Sequence, residues 1–174
     1  MLIDNSKEKL YNAIIFFKEN TKYCNKTKLF KLLYFLDMLH FKETGSSVTG
    51  LNYSAWKHGP VPCELHEKIS NKNDDFHKNF SVDIEDSIYR TYVIASLKEF
   101  DDAYFSRREM RLLKEVSDFF CNDTAKEMVE TTHEAGQPWH ITVETKGENS
   151  LIDYFLVLDK DGDITREDII ESEN

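Results

Sequence analysis

The stretch KLFKLLYFLDMLHF at residues 28–41 decides the fold. Wound as a helix, this segment shows apolar side chains on nearly every side, and a helix of that kind belongs in the middle of a protein. It is too short and too often interrupted by polar residues to cross a bilayer. We therefore predict a central core helix from about Thr27 to Lys42, ended by Gly45.

Amphipathic helices are predicted on both sides of this core helix. The first spans Asn5 to Asn20, and Asn5 with Glu8 has the spacing of a capping box. The others are predicted at Pro62–Ile69, from Ser106 to about Phe120, from Thr124 to about Glu134, and in a short segment opened by Thr165. Gly136-Gln137-Pro138 is expected to stop the helix that begins at Thr124.

The remaining segments predict a small amount of β structure. Val48–Lys57 is rich in β-formers and aromatics, and Phe80–Leu97 is typical of a hairpin broken at Glu85-Asp86-Ser87. The polar stretch Ser70–Asn79 is expected to be a mobile loop, while Leu151–Leu158 fits a strand or a buried helix equally well. The fold class is therefore mainly α (α+β): one domain over residues 1–174, a compact bundle around a central apolar helix with a small antiparallel sheet or hairpin.

Charge and cysteine content limit the kinds of partner. The chain of 174 residues carries 32 acidic and 22 basic side chains, a formal net charge of −10, and no basic run longer than two residues. Nucleic acids and anionic membranes bind clustered Lys and Arg, so neither is expected as a direct partner. The charge is compatible with a basic partner protein, although solubility alone explains it as well. Three widely spaced cysteines and no signal-peptide pattern at Met1–Asp4 predict a cytoplasmic protein with reduced thiols.

The most distinctive cluster is Trp56, His58, Gly59 and Pro60. In one interpretation it is a rigid turn that locks a strand against the core helix, with Trp56 in the core. In the other it is an aromatic contact patch for a partner protein, because Trp and Tyr are enriched at interface hot spots. We favour the first interpretation. Both can be true at once if the turn presents Tyr53 or His58 to solvent.

Two groups of polar residues have spacings that occur in metal sites or in acid–base catalysis. Cys63 and His66, with His58 nearby, are too few for a structural zinc site, which needs four ligands. His133, His140 and Glu134 could serve acid–base chemistry, but a capping or core role for the histidines is the more common outcome.

Two further groups of polar residues stand out in the sequence. Asp37 and His40 lie on the core helix, where burial is costly, so we expect one or both to reach a solvated edge or a partner. The aspartates of Asp159–Asp163 do not match a calcium loop, because the glycine and the final glutamate are misplaced. No nucleophile–base–orienter set can be named, so the sequence predicts neither an enzyme nor a metal or other cofactor.

The core helix and the turn together resemble the SocA-like, or Panacea, antitoxin family. The family's loose pattern is K-L-x-K-L-L-Y-F on a helix, a small-residue loop, and then Y-x-A-W-x-x-G-P-V. The matching positions here are Lys28, Leu29, Lys31, Leu32, Leu33, Tyr34, Phe35, Tyr53, Ala55, Trp56, Gly59, Pro60 and Val61. His133, Glu134, Trp139 and Leu151–Tyr154 are similar to the family's C-terminal half.

The resemblance implies a function in protein binding. Members of this family are mostly antitoxins encoded beside a toxin gene, phage-encoded members included, and they neutralise the toxin by direct contact. Many of the paired toxins block translation, and one branch of the family is a protease adaptor that delivers its toxin for degradation. On this basis the partner-binding candidates are Tyr53, Trp56, His58, Gly59, Pro60, His133 and Trp139. An adaptor or a phage regulatory binding protein is the alternative.

Overall fold

The apolar segment forms helix α2, Lys26–Thr44, in the computed structural model, which describes residues 5–86, 88 and 91–173. Asn25 caps its first turn, since its side chain accepts a hydrogen bond from the Lys28 backbone N–H. Gly45 ends it in the left-handed conformation, with φ of +77°. Leu29, Leu32, Leu33 and Leu36 are all fully buried. The prediction of a central core helix is therefore confirmed.

The other helices are arranged around α2. Helix α1 (Ser6–Asn20) and helix α4 (Arg107–Phe119) pack against it and against each other, and α5 (Ala125–Thr132) also packs on it. The set is completed by α3 (Cys63–Ser70), α6 (Pro138–Lys146) and α7 (Arg166–Ser172). None of the described helices is long and apolar enough to cross a membrane.

Two antiparallel strand pairs complete the fold. Strands β1 (Ser54–Trp56) and β2 (Gly59–Val61) form one pair, and β3 (Phe80–Asp86) and β4 (Thr91–Ser96) form the other. The mainly α class with a small antiparallel sheet is therefore confirmed. The predicted hairpin at Phe80–Leu97 is confirmed too, but Glu85 and Asp86, two of the three residues of its predicted break, belong to β3. The third, Ser87, lies outside the described residues.

The helix starts follow the capping chemistry in most places. Ser106 with Glu109, Thr124 with Glu127, and Thr165 with Asp168 each form a complete capping box. The capping box predicted for Asn5 is wrong, because its side chain makes no cap hydrogen bond. The stability of α1 comes instead from the burial of its central residues 10–17.

Three further segments differ from the expectation. Pro138 not only follows the end of α5 but also begins α6, since a proline suits the first position of a helix. The supposedly mobile stretch 70–79 contains a 3₁₀ turn at Asp75–Lys78, anchored by the fully buried Phe76. The ambiguous stretch 151–158 is neither strand nor α-helix: Leu151 forms a single bridge to Ser54, and a 3₁₀ turn follows at Tyr154–Val157.

Lys28 is a fully buried cation that ties distant parts of the chain together. Its ammonium donates to the carbonyl oxygens of Lys22 at 2.7 Å, Phe120 at 2.7 Å and Asp123 at 2.5 Å. These carbonyls belong to the loop before α2 and to the turn between α4 and α5, so a single side chain on α2 fixes both connections.

Asp37 is the second buried charged side chain of α2 that organises a loop. Its carboxylate accepts hydrogen bonds from the backbone N–H groups of Val48 and Thr49, both at 2.9 Å, and from the Thr49 hydroxyl at 2.5 Å. The Tyr53 hydroxyl donates a fourth at 2.6 Å. The expectation that Asp37 or His40 reaches a solvated edge is wrong, because both are buried and hydrogen-bonded within the protein.

Candidate partner-binding surface

The β1–β2 hairpin forms the frame of the candidate surface. Trp56 pairs with Gly59 across the hairpin, and Lys57 and His58 form the turn between them. The outer edge of β1 is also covered, because the Ala55 backbone N–H donates to the Ser150 carbonyl at 2.8 Å and its carbonyl accepts from the Asn149 N–H at 2.7 Å. With hydrogen bonds on both edges of β1, the turn is held in one place.

Gly59 allows the hairpin to approach α2 closely. Its φ is +103°, and a Cβ atom there would lie 2.7 Å from Lys31 Cε and 3.0 Å from Thr132 Oγ1. A side chain at this position would therefore suffer both backbone strain and collision. The sequence-based interpretation of Gly59 as a residue with an unusual backbone angle agrees with this geometry.

Lys31 lies directly beneath the hairpin. Its side chain is 1% exposed, and the ammonium donates to the Pro60 carbonyl at 3.0 Å. Burial lowers the pKa of Lys31 to about 7, because a charge in this apolar setting loses its hydration. The sequence interpretation overlooked this residue, although a lysine within an otherwise apolar helix could have indicated it.

The segment between α5 and α6 packs on the same hairpin. Trp139 is 8% exposed, and its indole Nε1–H donates to the Trp56 carbonyl at 2.9 Å. The His133 ring stacks on the Trp139 ring, with centroids 3.7 Å apart and planes 10° apart. Burial lowers the pKa of His133, and the nearby Lys31, His58 and His140 act in the same direction. Two segments that are far apart in the sequence are thus brought together.

Two buried polar atoms beside this contact have no hydrogen-bond partner among the described residues. They are the hydroxyl of Tyr34 and Nε2 of His133. Tyr34 follows Lys31 by nearly one turn of α2, and burial raises its pKa. The interior behind the hairpin is therefore polar as well as packed.

The solvent-facing part of the site consists of Trp56 and His58. Trp56 remains 36% exposed, so its indole is not the core residue that the scaffold interpretation expected, and His58 is exposed on the turn. Gly59, Pro60 and Trp139 are buried and form the support. The Trp56 ring packs on the His66 ring, with centroids 5.3 Å apart.

Tyr53 does not belong to the exposed part. It is fully buried, so the expectation that it points outward is wrong. The reason is the alternation of side chains along an extended strand: Tyr53 and Ala55 face the core, and Trp56 faces out. Tyr53 supports the hairpin from inside through its hydrogen bond to Asp37.

Cys63 and His66, which have the spacing of metal ligands, make ordinary structural contacts. Cys63 Sγ lies 3.8 Å from the Val61 carbonyl at the start of α3, and His66 packs against Trp56. Among the residues that the structure describes, no three His, Cys, Asp or Glu side chains are grouped so that they could hold a metal ion.

The matching segment in the family comparison contains this surface. Residues 29–140 match the family described as "Antitoxin SocA-like, Panacea domain". They include most of α2, the whole β1–β2 hairpin, and both His133 and Trp139. The chain therefore belongs to the SocA-like antitoxin family. No curated protein and no solved structure matches the chain.

Proposed function

We propose that this protein is an antitoxin that acts in the cytoplasm by binding a toxin protein directly, without catalysis. Its membership of the antitoxin family supports a toxin as the partner in general. The observation that carries the direct-contact proposal is the 36% exposed side chain of Trp56 on a hairpin whose backbone is fixed on both sides.

The physical basis is preorganisation. A side chain that is already held in its bound position loses little conformational freedom on binding, so more of the contact energy appears as affinity. Trp56 is held through its own carbonyl by Trp139, and the turn is held from beneath through Pro60 by Lys31. Within the proposed site, Trp56 and His58 contact the toxin, while Gly59, Pro60, His133 and Trp139 position them.

The test is co-expression with the toxin encoded by the neighbouring gene. Wild-type protein should restore growth and should be recovered in a stable complex. Trp56→Ala combined with His58→Ala should still unfold cooperatively, at a lower temperature than the wild type because Trp56 is only 36% exposed. While folded, it should bind the toxin about tenfold more weakly or worse, as expected for loss of an aromatic anchor. Phe119→Ala removes a 75% exposed aromatic side chain from α4 and is the matched control that should bind normally.

Two results would overturn the proposal. If Trp56→Ala with His58→Ala binds as tightly as Phe119→Ala, the toxin contacts another face. If growth is restored only because the toxin disappears from the cells, and inhibiting proteolysis brings the toxicity back, the protein is a protease adaptor. A buried-core variant, Leu33→Ala, should lose about 2–5 kcal/mol of stability and shows how unfolding looks in the same assays.

A further inference from the structure

A second surface next to the hairpin has a chemistry different from that of the protein as a whole. It is a groove of about 690 Å³ between the start of α2, helix α3 and the β3–β4 hairpin. Its lining combines apolar side chains with two lysines and two histidines. The lining residues are Lys26, His66, Ile69, Ser70, Lys72, His77, Val82, Ile84 and Tyr92. We call this the basic groove.

The charge of the basic groove is opposite to the net charge of the chain. None of the lining residues is acidic, although the chain carries 32 acidic and 22 basic side chains. Neither Lys26 nor Lys72 has a carboxylate within ion-pairing distance among the described residues, whereas Lys7, Lys9 and Lys42 are ion-paired elsewhere. The groove therefore offers unpaired positive charge to a partner.

The apolar part of the groove is preformed and reachable. Lys26 Nζ lies 4.4 Å from the centroid of the Tyr92 ring, so a cation–π contact holds the ammonium at the mouth. Val82 and Ile84 lie on the same face of β3, two residues apart, and Ile84 is 57% exposed. An aliphatic side chain inserted here would cover Ile84 while an adjacent carboxylate meets Lys26 or Lys72.

The basic groove also joins the candidate surface. His66 lines the groove and packs on the Trp56 ring with a centroid distance of 5.3 Å. A partner that covers Trp56 is therefore next to the mouth of the groove. We infer that the basic groove receives an acidic, aliphatic-rich segment of the toxin. This inference rests on the proposed function, because it names the chemistry of the segment that the toxin presents.

The inference can be tested without knowing the toxin. Full-length protein is titrated in fluorescence anisotropy with a labelled short peptide of alternating glutamate and leucine, with its glutamine–leucine twin, and with a short oligothymidylate. Wild-type protein should bind the glutamate peptide about tenfold tighter than the glutamine peptide. Lys26→Glu combined with Lys72→Glu should abolish that difference.

The matched control has the same change in net charge away from the groove. Lys114→Glu combined with Lys126→Glu, at exposed positions of α4 and α5, should bind like the wild type. Lys26 is the first residue of α2, where a glutamate is favourable for the helix dipole, so the groove variant should keep its fold, as a melting curve will show.

Three outcomes would overturn the inference: equal binding of the two peptides, equal weakening by both double variants, or tighter binding of the oligothymidylate. The last outcome would make the groove a nucleic-acid surface. Once the toxin is available, binding assays with it distinguish this inference from the proposed function. If Lys26→Glu with Lys72→Glu still binds the toxin but Trp56→Ala with His58→Ala does not, the proposed function is supported and the inference about the basic groove is overturned. If the protein binds the glutamate peptide as expected but does not bind the toxin, the chemistry of the basic groove is supported and the proposed function is overturned.

Discussion

Asp37 shows at the scale of one residue how this fold uses a charge that is buried completely. Burial raises the pKa of Asp37, while the hydrogen bonds from Thr49, Tyr53 and Val48 oppose that rise. Charged acceptors form stronger hydrogen bonds than neutral ones, so these four donors offset much of the cost of burial. The carboxylate fixes the loop after α2 and the entry into β1, and it thereby sets the position of the candidate surface.

The first prediction concerns removal of this acceptor. Asp37→Ala leaves four buried donors without a partner and should lower the free energy of unfolding by about 3–5 kcal/mol. Tyr53→Phe removes a single donor and should cost about 1.5–3 kcal/mol. Urea unfolding of both variants measures the difference. If Asp37→Ala is as stable as Tyr53→Phe, the loop after α2 does not depend on the carboxylate.

At the scale of elements, the close approach of the β1–β2 hairpin to α2 determines whether the surface can form. The second prediction is that Gly59→Ala lowers the free energy of unfolding by about 2–4 kcal/mol, because it adds backbone strain and a collision with Lys31. Gly136→Ala is the control: its φ is also positive, +84°, but a Cβ there would have nothing within 4 Å. Gly136→Ala should therefore add only backbone strain and lower the free energy of unfolding by about 1 kcal/mol.

A double-mutant cycle identifies the colliding atom. In a Lys31→Ala background, the added Cβ of Gly59→Ala should cost less than in the wild type, because Lys31 Cε is the atom that lies 2.7 Å away. An unchanged cost in both backgrounds would place the collision at Thr132 instead.

The elements differ in how far the sequence could predict them. The continuous apolar run predicted α2, and the capping boxes predicted the starts of α4 and α5, because those signals are local. The orientation of Tyr53 could not be predicted, since it depends on which face of β1 meets the core. The contact of His133 and Trp139 with the hairpin depends on α6, and the proline that begins α6 was interpreted only as the end of the preceding helix. Pairing of distant segments leaves no local signal.

On the scale of the whole molecule, two lysines of α2 join the parts of the fold. Lys28 fixes the loops at the end of α1 and after α4 through their carbonyl groups, and Lys31 supports the hairpin through Pro60. The two are less than one turn apart on the same helix. They differ in the number of acceptors they meet, since Lys31 makes one such bond to Pro60 and Lys28 makes several.

The third prediction follows from the titration of Lys31. Its pKa falls from 10.5 to about 7 on folding, so between these values the unfolded chain binds a proton that the folded protein does not. The free energy of unfolding must then rise with pH across this window, by about 1.4 kcal/mol per pH unit at most. As the pH falls, this stability is lost progressively from about 10.5, and the loss is complete near pH 7. Below about 7 both states are protonated, so the penalty is constant there.

Lys31→Met separates this contribution from those of the other titrating groups except His133, whose pKa Lys31 itself lowers. The substitution removes the titrating amine and retains most of the side-chain volume. Burial also lowers the pKa values of Lys26 and Lys28, but these two residues are present in both proteins. The variant should gain most over the wild type near pH 7 and progressively less toward pH 10, as measured by urea unfolding at each pH. A difference between the two proteins that stays constant over this range would mean that Lys31 remains charged in the folded state. Its ammonium would then have to be stabilised by polar groups beyond the single carbonyl of Pro60.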